Sequence, residues 1–209
     1  MFTFDADNHI YRWNDNIVPS VTEIIGAWLP VKGADYYVNT FTGAIVYADK
    51  FEAAGKVGKA IHRACGYIAS GQGVDMEAID PALIPPLEQF ERWMDDFKVN
   101  TRVAESPMYS EKYGFAGTPD IVCEINNNKN IVVVVDIKTG LSNATVGVQT
   151  SAYEILIREY LKIRRIIKRY ELILPRDGCP YKFNSLTDKD DFTFFLSRLN
   201  QYNYLKNRR

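Results

Sequence analysis

Three residues in this chain have the types and spacing to do chemistry together. Asp120 closes the run Gly114-Phe-Ala-Gly-Thr-Pro-Asp120, and Asp136-Ile-Lys138 follows sixteen residues later. On a strand, residues two apart face the same way, so Asp136 and Lys138 project together while Ile137 packs into the opposite layer. The preceding Ile131-Val-Val-Val-Val135 is wholly apolar, and two charges at the end of such a strand are costly without partners. A metal ion and a substrate phosphate would be suitable ones. Asn126-Asn-Asn-Lys-Asn130 supplies a turn that brings Asp120 alongside Asp136. Neighbouring carboxylates repel each other, and a divalent cation relieves that repulsion. Hard oxygen ligands with open water positions suit Mg2+ or Mn2+ rather than zinc. Such an ion generates a hydroxide-like nucleophile and polarises a phosphoryl oxygen. Lys138 can position the attacking water or meet the developing charge. Taken alone, Asp-x-Lys is equally a strand-end ion pair, and Thr-Pro-Asp120 an ordinary turn.

The elements that must hold these residues are largely readable. Phe2-Thr-Phe4 and Ile10–Trp13 predict a hairpin around Asp5–Asn8, with Asn14-Asp-Asn16 as a second turn. Ser20 with Glu23 three residues on predicts a capped helix that stops near Trp28-Leu-Pro30. Residues 31–46 predict no element. A helix is expected over Ala48–Ala69 and ends at Ser70-Gly-Gln-Gly73. Leu83, Leu87, Phe90, Trp93, Met94 and Phe97 recur at helical spacing and predict a helix over Ala82–Lys98, or from just after Pro86. Three strands follow, over Thr101–Ser110, Phe115–Ile125 and Asn130–Lys138, the last buried on both faces. A helix over Thr145–Leu161, a strand over Arg164–Leu174 and a C-terminal helix over 187–206 complete the chain. The order predicts one α/β domain over residues 1–209, built on a mixed sheet, with residues 1–100 completing a core at 101–175.

Bulk properties restrict the function. With 46% hydrophobic residues a sizeable core is available, and a net charge of −1 argues against broad electrostatic nucleic-acid binding as the sole activity. Cys65, Cys123 and Cys179 form no CxxC pair, so neither a zinc ribbon nor a disulfide framework is expected. The N-terminus lacks the pattern of a signal peptide and no apolar run is long enough to span a bilayer, so the expected location is cytoplasmic, with no membrane partner. Lys162-Ile-Arg-Arg-Ile-Ile-Lys-Arg169 and Lys206-Asn-Arg-Arg209 read as solvated charge.

Pro119-Asp120 with Asp136-Ile-Lys138 resembles the signature of the PD-(D/E)xK nuclease superfamily. Gly58-Lys-Ala-Ile-His62 is similar to the helical Gly-x-x-x-His motif of the branch that includes the RecB nuclease domain and phage-type exonucleases. Gln149-Thr-Ser-Ala-Tyr153 is similar to that branch's downstream Gln-x-x-x-Tyr motif, and Pro19-Ser-Val-Thr22 resembles the start of phage members. Together the motifs reach from about residue 9 to residue 153.

The resemblance implies a restriction-endonuclease-like core with the site at the sheet's edge. It also implies metal-assisted hydrolysis of DNA, exonucleolytic rather than endonucleolytic, with a replication or recombination protein as a further partner. By resemblance His62, Asp120 and Asp136 hold the metal, the carbonyl of Ile137 adds a ligand, and Lys138 serves the nucleophilic water. Gln149 and Tyr153 hold the substrate strand or order Lys138, unless Tyr153 is simply core and Gln149 surface. Glu105 matches an acidic position that contacts the metal through water or orients Lys138; it reads equally as a solvated strand residue. Gly58 is expected to let its helix approach the sheet closely and so present His62, which otherwise reads as a core histidine. Asp136 departs from the commoner Glu by one methylene and still coordinates metal. Three scattered cysteines exclude the four-cysteine iron–sulfur cluster of some relatives. The alternative within the same fold is a catalytically silent module that binds DNA or a protein.

Overall fold

A computed structural model describes residues 1–140 and 145–208. The chain opens with a meander of β1 (Phe2–Asp5), β2 (Ile10–Trp13) and β3 (Asn16–Val18). The Asp5 carboxylate accepts the Asp7 and Asn8 N–H groups and closes the first turn, and left-handed Asn14 and Asp15 make the second. In α1 (Val21–Ile25) Ser20 Oγ accepts the Glu23 N–H at 3.1 Å, as the capping pattern predicts. This helix ends at Gly26, in the left-handed region at φ 58°, and not near Pro30. Trp28-Leu-Pro30 is instead β4 (Trp28–Pro30), paired with β5 (Tyr36–Asn39), which pairs with β6 (Ile45–Tyr47). The long helix α2 (Ala48–Ala69) has the expected bounds. A 3-10 turn at Pro81–Leu83 leads into α3 (Ile84–Asp96), whose first turn holds Pro85 and Pro86, where no N–H is needed.

Two of the three expected central strands are each broken in two. The first becomes β7 (Asn100–Ala104) and β8 (Met108–Ser110), because Glu105 turns left-handed at φ 44° ahead of Pro107. The second becomes β9 (Phe115–Gly117) and β10 (Ile121–Glu124), split by Thr118-Pro-Asp120. Proline removes a ladder donor in each case. β11 (Ile131–Lys138) is continuous. After α4 (Val146–Leu161) come β12 (Ile166–Ile173), the unexpected β13 (Lys182–Leu186) and α5 (Asp190–Lys206). α5 starts three residues later than predicted, because Asp188 Oδ1 takes the Asp190 N–H in a turn of its own.

The main sheet runs β13-β12-β11-β10-β7, with β11 and β12 parallel and the other pairs antiparallel, so it is mixed and flanked by helices. Side-chain alternation along β11 divides the core. Val133, Val135 and Ile137 pack with Ile61, Cys65, Leu87, Phe90 and Trp93 of α2 and α3. Val132 and Val134 face the other way, with Val21, Ile24, Leu156 and Phe195 of α1, α4 and α5. The basic run Lys162–Arg169 is not all solvated. Arg165 pairs with buried Glu124 at 2.8 Å, and Arg169 pairs with Asp191 at 2.8 Å and donates to the Gly147 carbonyl. Arg209 of the terminal run lies outside the described residues. Among the described residues no helix is long and apolar enough to cross a membrane.

Candidate metal centre

The third, middle strand of the main sheet, β11, carries Asp136 and Lys138 at its C-terminal end. The polar cluster therefore sits at the end of the central strands and not at the sheet's edge. Asp120 belongs to the same end by register. Ile121 pairs with Val135, so continuing the ladder would set Pro119 against Ile137. A buried N–H at Ile137 still needs an acceptor. The Asp120 carboxylate supplies it, with Oδ2 accepting from the Ile137 amide at 2.6 Å. Pro-Asp thus ends one ladder and replaces its last rung with a side chain.

His62 approaches from α2, with Nδ1 3.2 Å from Asp120 Oδ1 and 3.8 Å from Glu105 Oε1. Glu105 stands beside Asp120 because its N–H donates to the Asp120 carbonyl at 2.9 Å, one residue past the β7–β10 ladder. Its left-handed φ is a strained conformation for a residue with a side chain, held here at the point where the carboxylate must turn toward α2. The helix makes room at Gly66, where a Cβ would lie 2.8 Å from Glu105 Cγ. Close approach was expected at Gly58, but a Cβ there would meet only Thr139 Oγ1 at an ordinary 3.6 Å. One donor atom from each of His62, Glu105 and Asp120 falls within 4.8 Å of the others.

Asp136 lies outside that trio and meets the Lys138 ammonium, Oδ2 to Nζ, at 2.5 Å. Its register partner on β12 is Glu171, an acid that is 2% exposed and that the sequence reading passed over. Paired strand residues share a face, so Glu171 adds negative charge beside Lys138. Glu171 follows Lys168, Arg169 and Tyr170 within β12, so no local pattern singles it out. Arg176 braces the chain just after Lys138, donating to the Thr139 carbonyl and to the Ala54 carbonyl of α2.

From α4, Gln149 Nε2 donates to Tyr153 Oη at 2.9 Å. Tyr153 is 4% exposed and packs where β9 has Gly117, whose Cβ would lie 2.9 Å from the ring. From the meander, buried Tyr11 pairs its hydroxyl with Thr118 Oγ1 at 2.8 Å, which ties β2 to the Thr-Pro-Asp turn. Sequence reasoning found neither the Gly117 contact nor this one.

The charges explain one another. Burial works against a charged His62, but the Asp120 carboxylate, its hydrogen bond and Glu105 outweigh it and raise the imidazole to about 9. Burial and the Asp120 charge push Glu105 up to about 8. Burial raises Asp136 to about 6 against the pull of Lys138. Lys138 is raised, its burial outweighed by Asp136 and Asp120. Several acceptor atoms nevertheless have no hydrogen-bond donor: Glu105 Oε1, Asp136 Oδ1 and Glu171 Oε1 are buried without one. Unsatisfied buried carboxylate oxygens beside an imidazole are what a hard divalent cation would complete, and the residues present fit such an ion. The exposed Cys179 and the buried Cys65 and Cys123 are free thiols.

No family model matches the sequence, and no curated protein matches it either. Among solved structures, a Eubacterium rectale protein described as a candidate exonuclease superposes with a TM-score of 0.45 at 8% identity, over 69% of this chain and 64% of that one. The protein SSO0001 superposes with a TM-score of 0.32 at 16% identity, over 57% of this chain and 58% of that one. The chain thus spans less than two thirds of the length of either neighbour.

Proposed function

We propose that this chain is a divalent-metal-dependent DNA nuclease of the PD-(D/E)xK kind, formed as one domain over residues 1–209 and acting as an exonuclease. The observation that carries the reading is the cluster at the end of β10 and β11. A buried Asp120, fixed by the Ile137 amide, shares a 4.8 Å triangle with His62 and Glu105, and the Asp136–Lys138 pair stands on the adjoining strand. His62, Asp120 and Asp136 are the proposed ligands of Mg2+ or Mn2+, with the Ile137 carbonyl completing the set, and the triangle favours adding Glu105. A bound divalent cation supplies an activated water and charge neutralisation at the scissile phosphate.

The chain's own groups do the rest. Asp120 holds its geometry through the Ile137 N–H and orients His62. Lys138, held by Asp136, presents an ammonium that positions the attacking water and offsets negative charge on the phosphate oxygens as the bond breaks. Tyr153 and Gln149 form a hydrogen-bonded pair from α4 that steadies the lysine's side of the site. Asp136 and Asp120, with a smaller contribution from Glu171, keep Lys138 protonated in a place where burial alone would neutralise it.

The test is degradation of end-labelled linear DNA beside covalently closed circular DNA, with Mg2+, Mn2+ or EDTA. Metal-dependent loss of linear DNA alone supports an exonuclease, and cutting of the circle changes the reading to an endonuclease. No hydrolysis with either metal, on single or double strands, replaces it with a silent nuclease-fold module. Such a module is what the self-neutralising His62–Asp120 and Lys138–Asp136 pairs would otherwise suit.

A further inference from the structure

The N-terminal meander carries a row of aromatic rings that leads to the metal cluster. β1 and β2 pair Phe2 with Trp13 and Phe4 with Tyr11, which puts all four side chains on one face. Tyr109 of β8 completes the row. Trp13 stacks on Tyr109 at 4.8 Å, Tyr109 on Phe2 at 5.7 Å, Phe2 lies parallel to Tyr11 at 6.3 Å, and Tyr11 stacks on Phe4 at 4.6 Å. Rings that only glued a hairpin to a core would be buried, as Tyr11 is. Phe2, Phe4, Trp13 and Tyr109 are only partly buried, and His9, edge-on to Phe4 and Tyr11, is exposed. Tyr11, between Phe4 and Phe2 in the row, is hydrogen-bonded to Thr118 two residues before Asp120.

Two cations, Lys59 and Arg63, lie on α2 three residues before and one residue after His62. Lys56, Lys59 and Arg63 are exposed and form no ion pair with any described residue. Partly buried rings in a row, unpaired cations nearby and a candidate metal cluster beside one of the rings fit one kind of chain. It has flat apolar groups on a negatively charged backbone that can be splayed out one at a time, which is single-stranded nucleic acid. A duplex keeps its bases stacked on one another and has no face to offer the rings.

We propose that the Phe4–Tyr11–Phe2–Tyr109–Trp13 row is a base-stacking platform that receives single-stranded DNA at the metal site, with Lys59 and Arg63 meeting its phosphates. This rests on the nuclease reading for what happens to the strand, but not for its binding. The probe is a labelled thymidine oligonucleotide of about ten nucleotides, within the usual footprint of such surfaces, beside an abasic oligonucleotide of equal length and charge. Binding is read by fluorescence anisotropy in EDTA, where no hydrolysis intervenes. Wild type should bind the thymidine strand about tenfold more tightly than the abasic one, the scale of one stacked base. Phe4→Leu, which keeps apolar bulk without a ring, should lose that preference, and Phe4→Trp should keep it. The abasic affinity should stay level, and circular dichroism and melting temperature should confirm the folded state.

Equal wild-type affinity for the two strands overturns the platform without need of any variant, and so does a folded Phe4→Leu that keeps the full preference. A protein that prefers the thymidine strand yet never cleaves DNA in Mn2+ loses the nuclease reading and keeps the platform. One that cleaves without base preference does the reverse.

Discussion

At the scale of single residues, the candidate centre is a set of charges that hold one another in place. His62 depends on Asp120 for its proton, since burial alone would remove it. In a metal-free sample the His62 imidazole should therefore titrate near 9, and Asp120→Asn should lower it, because desolvation is then opposed only by the Glu105 and Asp136 charges. NMR titration of the ring protons reads both values. An imidazole that titrates normally in wild type would mean that the Asp120 contact does not persist in solution. Much of this set was legible in the sequence, because Pro-Asp, Asp-x-Lys and Gly-x-x-x-His are local patterns. Glu171 was not, because its relevance comes from β12 lying parallel to β11, a pairing across 35 residues of chain by the Asp136–Glu171 register. Tyr11 and Thr118 are further apart still, and no local spacing announces their hydrogen bond.

At the scale of elements, two glycines decide how closely helices pack beside the segments that lead into Asp120 and hold Glu105. A Cβ at Gly117 would stand 2.9 Å from Tyr153 Cε1, 3.0 Å from Val21 Cγ2 and 3.1 Å from Leu156 Cδ1, all in well-packed core. Gly117→Ala should destabilise the fold by about 1–3 kcal/mol, the usual cost of overpacking, as read by urea denaturation. The corresponding clash at Gly66 is with Glu105 Cγ, part of a longer and half-exposed side chain. Gly66→Ala should cost less stability but displace Glu105, and so weaken Mn2+ binding measured by calorimetry. If Gly66→Ala left metal affinity unchanged, Glu105 would have no place among the ligands. The long amphipathic helix α2 and the all-apolar β11 were readable because length and periodicity specify them. The two breaks beside the site were marked by Pro107 and Pro119, yet β-rich sequence on either side concealed them. β13 and the β4-β5-β6 sheet escaped notice because their strands are short, with many polar or exposed positions and no clean alternation.

At the scale of the whole molecule, the protons held at this centre set how stability depends on pH, and the proposed cation would compete for them. A histidine raised from 6.5 to about 9 contributes stability that is complete below 6.5 and lost as pH rises through about 9. Glu105 and Asp136, raised to about 8 and about 6, favour the protonated folded state, so their contribution also falls with pH, between 4.5 and 8 and between 3.8 and 6. All three slopes have the same sign, and the metal-free melting temperature should decline from about pH 4 to about pH 9. A divalent cation replaces those protons, so the rise in melting temperature produced by Mn2+ over EDTA should grow between pH 6 and pH 9. His62→Gln should remove the part of that growth above pH 8. A Mn2+ effect that shrank with rising pH would place the ion elsewhere. The mixed sheet with helices on both faces was legible as a class from the order of elements. The position of the site at the end of its central strands was not, because strand order is a property of pairing and not of sequence order.

The most direct test of the central claim compares wild type with Lys138→Ala in single-turnover cleavage of linear DNA at saturating Mn2+, with Mn2+ affinity measured in parallel. Wild type should hydrolyse DNA in a metal-dependent way and Lys138→Ala should lose about 10²–10³-fold at nearly unchanged Mn2+ affinity, because the proposed role of the lysine is to serve the reacting groups while the acids and His62 hold the ion. Cleavage by Lys138→Ala at the wild-type rate, or no cleavage by wild type at all, would contradict the claim.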